Sequence, residues 1–499
     1  MQPKVVVLYH RLPFEEALIA DKFVQKPHGP NGVIFLLKQY FSLNSNTIWI
    51  ATSEYSDHLA VPQREKMALP DLEGECHLRR VFLSKDEIHL FYHRTCKEGF
   101  WPILHSFPEK YDRGVIDWGN FEKISRRFAK AACEEADDDS IVWIHDFNLW
   151  LVPYFIRQQN PRLKIAFFFH TPFPAPDIFN ILPWRQPIVE SLLSCDLVSF
   201  DIPRYSENFV RTANSLFDIR CARKERVDRR FSRCGLALSE PYVTKQLTYR
   251  DHIVRLEVFP EGTNHQLILR LLQKPSTIEK IAELSAVKKG CRLIFSPGRL
   301  DYVKGAVELL RGYAELLRSH EEVMGKVMLF LVAVPPRYEV LACVRLQRQL
   351  EELVAEINRS FATSDWQPVV YSSRSLSFED MVAWFYNTDV LCIPSLRDGM
   401  NIICKEFIAV KGGAGGALVL SEFAGASVEF TEAVQTNPFS PGDLARSLFS
   451  ALSMPEKLQQ AQMKKMFAKM LLSDVTEWAR QLNLLNITKM ETRLLNGVV

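Results

Sequence analysis

At 499 residues the chain is two to three times the usual domain length of about 100 to 200, so it should hold at least two packed units rather than a lone binding module. With 47% hydrophobic and 24% charged residues it has the composition of an ordinary soluble globular protein, which excludes wholesale disorder. Lys+Arg 61 against Asp+Glu 59 leaves a net charge of +2, too balanced for a chain whose main work is neutralising nucleic-acid or membrane phosphates, so an anionic ligand must meet a local cationic site.

In chain order, the first expected strand is Val5 to Tyr9, followed at once by Arg11. Gly29-Pro30-Asn31-Gly32 then precedes a helical pattern, and a Gly-rich loop at a helix start can approach a phosphate. Further strands are expected at Thr47 to Ala51, Val81 to Leu83 and Ile88 to Tyr92. Tyr92 and Trp101 lie close in sequence and read either as core aromatics or as walls of a pocket. Strands at Ile141 to Ile144 and Ile165 to Phe169 are each followed directly by polar groups, His145-Asp146 and His170-Thr171. A carboxylate and an imidazole there can hold sugar hydroxyls, whereas a lone His after a strand is more often a satisfied structural one. The Pro-rich turn after His170 stiffens that loop.

Leu197 to Phe200 and Leu256 to Phe259 complete the first series of strands. Between them, Arg220 to Arg233 holds seven Lys/Arg against Glu225 and Asp228; such a run is usually a solvated helix or loop, with polyanion binding as the lesser alternative. The Pro/Gly break Phe259-Pro260-Glu261-Gly262-Thr263-Asn264 predicts a boundary, giving domains 1–260 and 261–474. An amphipathic helical pattern from about 475 to 499 follows and is free to pack on either.

The second series has strands at Arg292 to Ser296, Val327 to Val334, Val369 to Tyr371, Val390 to Ile393 and Leu418 to Leu420, with helices at about 304–319, 340–358, 378–387, 401–410 and 441–452. Continuous apolar strands alternating with helices predict an α/β protein with parallel sheets, whose ligands bind beyond the carboxyl ends of the strands. Two loops at such ends carry chemistry. In Ser296-Pro297-Gly298-Arg299-Leu300-Asp301-Tyr302-Val303-Lys304-Gly305, two cations five residues apart at a helix start can grip a diphosphate, the alternative being a solvated loop. In Pro394 to Glu406, Asp398 reads as an N-cap, Gly399 permits close backbone approach, and the N–H groups of Met400, Asn401, Ile402 and Ile403 read as an anion site. Glu406, on the same helix side as Ile402 and Ile403, is placed to accept from ribose hydroxyls, or is merely solvated. The ten cysteines show no metal-binding spacing and read as reduced core thiols of a cytoplasmic protein, and the longest apolar run, Val327 to Val334, is too short to span a bilayer.

Taken together these passages resemble the retaining glycosyltransferases that make trehalose 6-phosphate and its relatives. Phe91-Tyr92-His93, Gly99 to Pro108, His145 to Leu151 and Phe179 to Arg185 look most like the branch that glucosylates glycerol 3-phosphate; Asn148 stands where trehalose-phosphate synthases usually have His, and those enzymes lack a Trp at the place of Trp150. The resemblance implies a GT-B fold, two Rossmann-like domains with the site in the cleft between them, and a C-terminal helix returning to the first domain. It implies transfer of glucose from ADP-glucose to the 2-hydroxyl of glycerol 3-phosphate, a step towards an osmolyte made under salt stress, with no cofactor and no metal. It further implies Arg299, Lys304 and Gly32 at the donor diphosphate, Asp398 with the amides of Met400 to Ile403 at the donor sugar and phosphates, and Glu406 at the ribose. His170 falls at the glucose, Asp146 and Trp101 on the acceptor side, and Arg11, Tyr92 and Arg337 at the acceptor phosphate. Front-face attack is favoured, the leaving phosphate oxygen taking the acceptor proton. The rival readings are a trehalose-6-phosphate synthase acting on glucose 6-phosphate and a catalytically silent sugar-phosphate-binding regulator; homo-oligomerisation stays open.

Overall fold

The computed structural model describes residues 3–19, 22–26, 32–44, 46–55, 61–68, 75–288, 290–336, 341–474, 477–478 and 480–483. The chain divides into two compact units, one formed by residues 1–227, 240–260 and 475–499, the other by 228–239 and 261–474. A single cut near 260 would miss the excursion of Asp228–Ser239, which is tied to the second unit by a hydrogen bond from Ser232 N–H to the Val428 carbonyl (2.6 Å).

The first unit is built on β1 (Val5–Leu8), β4 (Thr47–Ser53), β5 (Arg64–Ala68), β6 (Glu75–Phe82), β7 (Ile141–His145), β8 (Lys164–Phe169), β9 (Leu197–Phe200), β10 (Ile219–Arg226), β11 (Tyr242–Tyr249) and β12 (His252–Val258), while β2 (Glu15–Ile19) and β3 (Lys22–Lys26) form a separate hairpin. The sheet order is β10-β11-β12-β9-β8-β7-β1-β4-β6-β5, with β5 and β11 antiparallel to their neighbours and the remaining pairings parallel. Its middle reverses direction of growth at β1, which lies between β4 and β7, so a topological switch point opens between the ends of β1 and β7. The strands read as unbroken apolar runs because both faces are covered: Val5, Val7, Trp49, Trp143 and Phe168 share one cluster with Ile34, Leu37 and Phe41 of the helix Gly32–Leu43. Trp478 joins this cluster, its ring 4.7 Å from that of Trp143 and 5.2 Å from that of Phe168.

The second unit has β13 (Arg292–Arg299), β14 (Val327–Val334), β15 (Val369–Ser372), β16 (Val390–Ile393), β17 (Ala417–Ser421) and β18 (Val434–Thr436), all parallel in the order β15-β14-β13-β16-β17-β18. Counted within the unit this is the Rossmann order 3-2-1-4-5-6, with its switch point between β13 and β16. Helices Ala306–Ser319 and Pro441–Ser453 cover one face, burying Leu309, Leu310, Tyr313, Leu444 and Leu448 against Ile294, Leu329 and Leu331.

Three expectations are corrected. Ile88–Tyr92 is not a strand: Lys85–Ile88 is a helical turn with a Ser84–Glu87 capping box, continued by a twelve-residue π-helix, His89–Phe100, whose i→i+5 repeat no α or β periodicity reveals. The basic run is neither helix nor loop over its first half but the exposed edge strand β10, where charge hinders pairing with another chain. The cysteines are all free, yet Cys221 and Cys234 are exposed rather than core thiols. Among the described residues no helix is long and apolar enough to cross a membrane.

Candidate active site

In the second unit the two loops singled out in the sequence leave the neighbouring strands β13 and β16, and the parallel register that pairs Ile294 with Val390 brings their ends side by side. Asp301 caps the short 3-10 turn Tyr302–Lys304, accepting from Val303 N–H at 3.2 Å, and Gly305 then turns with φ +70°. That glycine is required by contact as well as conformation, since a Cβ there would lie 1.9 Å from the Pro394 carbonyl oxygen. The approach sets Lys304 against the second loop. Its Nζ donates to Asp398 Oδ2 at 2.8 Å, and the same oxygen accepts from Ser395 Oγ (3.1 Å) and Asn401 Nδ2 (2.9 Å). Burial alone would raise the Asp398 carboxyl, but Lys304, Asn401 and Ser395 outweigh it and hold the group below the usual carboxylate range. A buried carboxylate thus fixes a partly exposed ammonium, while Arg299, 56% exposed in its side chain, reaches no nearer than 3.8 Å to Asp301.

Asp398 is not the helix cap expected from the sequence. Asn401 holds that position, with φ +80° and its side chain accepting from Cys404 N–H at 3.1 Å, and the helix runs Ile402–Lys411. The cap moves because the Asp398 carboxylate is occupied by Lys304. Among the described residues the first-turn N–H groups of Ile402 and Ile403 have no acceptor, inside the helix or outside it, so they can meet an anion. One turn on, the Glu406 carboxyl has no hydrogen bond or ion pair with a described residue, and burial pushes it up to about 8. Beside it Lys405 is fully buried and bound to Glu429 (2.8 Å) and the Glu261 carbonyl (2.6 Å), a structural pair with which the sequence reading did not reckon.

In the first unit the polar groups collect at the switch point. Asp146 follows β7 with φ +69° and ψ +163°, a region essentially reserved for glycine and costing about 1–3 kcal/mol, and accepts from Thr171 Oγ1 at 3.0 Å. Burial raises the Asp146 carboxyl above its ordinary range, countered in part by His170. His145 Nδ1 and His170 Nε2 are 3.0 Å apart, and burial lowers both imidazoles, so one neutral ring donates to the other. The Arg11 carbonyl accepts from Trp49 Nε1 (3.0 Å), while its guanidinium makes no ion pair among the described residues.

The π-helix supplies the aromatic wall. Five residues separate Tyr92 from Lys97, which an α-helix would turn about 140° apart, but the i→i+5 repeat places the Lys97 ammonium 5.8 Å from the Tyr92 ring and 3.5 Å from the ring of Trp101, which follows the π-helix. Lys97 went unnoticed in the sequence for that reason. So did His10, whose ring stacks on Tyr92 at 5.0 Å. Asn148 and Trp150 are fully buried, Trp150 wedged against Phe100 (4.8 Å) and Phe179 (6.1 Å), so they shape the wall from behind. Gly32 opens the helix Gly32–Leu43, whereas Asn31 and Arg337 lie outside the described residues.

The profile of glycosyltransferase family 20 matches residues 3–485. The chain is 43% identical, over 484 residues and 97% of both chains, to a glucosylglycerol-phosphate synthase of Synechocystis sp., and 43% identical over the same share to one of Picosynechococcus sp.. A solved trehalose-6-phosphate synthase superposes with a TM-score of 0.82 at 26% identity, covering 97% of this chain and 99% of its own.

Proposed function

Because the chain belongs to glycosyltransferase family 20, with the GT-B fold of that family, we propose that it is a retaining glucosyltransferase that moves glucose from ADP-glucose to the 2-hydroxyl of glycerol 3-phosphate. The observation that carries this reading is the 43% identity, end to end, to two synthases named for glucosylglycerol phosphate. The second unit then holds the donor and the first unit the acceptor.

Departure of a nucleotide diphosphate builds negative charge on its oxygens, and charge donors fixed beforehand stabilise that charge without reorganising. In our reading Arg299 and Lys304 are those donors, with the amides of Met400 to Ile403 beside them. Lys304 arrives oriented by its 2.8 Å bond to Asp398, and Asp398 with its neighbouring amides also meets the glucose hydroxyls. Glu406 receives the ribose diol, and Gly32 lies at the loop near the diphosphate. At the acceptor, Arg11 and Tyr92, with Arg337, take the phosphate, Trp101 and Asp146 the polyol, and His170 a glucose hydroxyl. The acceptor hydroxyl attacks from the face the diphosphate leaves, and its proton passes to the departing phosphate oxygen. No carboxylate nucleophile is needed in this scheme.

The test is a matrix of donors and acceptors with nucleotide release measured. ADP-glucose with glycerol 3-phosphate should turn over far faster than UDP-glucose with glucose 6-phosphate. The reverse preference assigns the chain to the trehalose-phosphate branch, and inertness in every combination would make it a binding protein.

A further inference from the structure

One buried polar group at the first unit's switch point has no use in the scheme above. His10 is 7% exposed and sits between β1 and Arg11. Its backbone is fixed, because its carbonyl accepts from both Thr52 N–H (3.3 Å) and Thr52 Oγ1 (2.6 Å). Its ring is equally constrained, edge-on to Tyr9 at 4.6 Å and stacked on Tyr92 at 5.0 Å. Yet among the described residues neither Nδ1 nor Nε2 has a hydrogen-bond partner. Buried side-chain nitrogens are nearly always paired, so a rigidly held ring with both unpaired is poised for a partner that arrives from outside.

The surroundings define that partner's chemistry. Burial keeps the His10 ring from taking up a proton, and the charges of Arg11 and Lys97 act in the same direction. Lys97 lies over the Trp101 ring. Two cations suit an ionised phosphate, and an imidazole with one donor and one acceptor nitrogen suits a hydroxyl, which is itself both. We infer that His10 is an acceptor-binding residue: its ring nitrogens hydrogen-bond a hydroxyl of a phosphorylated polyol whose phosphate is shared by Arg11 and Lys97. The inference rests on the proposal that the first unit binds the acceptor, and it adds two residues which that proposal does not use.

The experiment uses the purified full-length protein. His10→Phe keeps an aromatic ring between Tyr9 and Tyr92 and removes both nitrogens. Its KM for glycerol 3-phosphate should rise tenfold or more, with the KM for ADP-glucose within twofold of the parent and a thermal midpoint no lower, since the lost nitrogens bond no described residue in the free protein. Inhibition by inorganic phosphate should be unchanged in His10→Phe and weakened at least fivefold in Lys97→Met. His10→Asn, which restores a donor and an acceptor, should recover part of the affinity, and it decides the matter if His10→Phe does not fold. An unchanged KM in His10→Phe, or equal weakening of glycerol 3-phosphate and inorganic phosphate, overturns the role. A parent enzyme inert towards glycerol 3-phosphate but active with another acceptor overturns the underlying acceptor assignment instead.

Discussion

Replacing Gly305 by alanine tests whether the contact between the two loops of the second unit builds the donor site. The residue has φ +70°, and the added Cβ would stand 1.9 Å from the Pro394 carbonyl oxygen, so the loops must part by about 1 Å or more before ordinary contact is restored. The left-handed backbone costs an alanine about 1–2 kcal/mol, and forcing a close-packed contact apart costs about 1–3 kcal/mol more, together about 2–5 kcal/mol. Displacement moves Pro394 and the loop that carries Ser395 and Asp398, and through the 2.8 Å bond it moves Lys304. A shift of that size in a positioning contact lowers turnover by about 10²-fold. Gly325 provides the control, with φ +73° and nothing within 4 Å of its Cβ position, so Gly325→Ala should lose only about 1–2 kcal/mol and keep its turnover. Native-state hydrogen exchange in β13 and β16 reads the opening of this unit without assuming that the whole chain unfolds in one step, and nucleotide release reads turnover. If Gly305→Ala matches Gly325→Ala in both, the close approach has no role in the site.

Lys304→Ala or Arg299→Ala should cost on the order of 10²-fold or more in turnover assayed without added metal; activity within threefold of the parent would refute their role at the leaving group. Arg11→Ala should raise the KM for glycerol 3-phosphate by about 10- to 150-fold, the equivalent of a charge-assisted hydrogen bond, and leave the ADP-glucose KM nearly unchanged; weakening of the donor alone would place Arg11 elsewhere. Glu406 gives a pH test, because its carboxyl is raised from the ordinary 4.5 to about 8 in the folded chain. Between those values the unfolded chain has released a proton that the folded chain keeps, so the ligand-free parent should lose stability relative to Glu406→Gln as pH rises from about 4.5 to about 8, with no further loss above. A difference that stays constant across that window would show the carboxyl to be ordinary.

The sequence by itself determined the α/β class, most of the strands of both sheets and the loops in which the chemistry would lie. Those features are local: an apolar run such as Ile165 to Phe169 codes for a doubly covered strand, and Arg299 at the end of β13, Lys304 in the turn that follows and Asp398 after β16 all lie at the carboxyl ends of strands whatever their neighbours. What only the tertiary structure decided depends on residues far apart in the chain. Asp398 was legible as a cap, yet its carboxylate is taken by Lys304, 94 positions earlier, and Asn401 caps the helix instead. Lys405 carries no local sign of its buried pairing with Glu429, nor does Trp478 of its place against Trp143. The π-helix was misread because Ile88 to Tyr92 has the composition of a strand, and the i→i+5 winding that gathers Tyr92, Lys97 and Trp101 has no signature in a period of two or 3.6. His10 is the clearest instance: beside Arg11 it looks like one more polar residue at the end of a strand, and only packing against Tyr9 and Tyr92 exposes that its buried nitrogens are unpaired, since burial and satisfaction are properties of neighbours that the local chain does not encode.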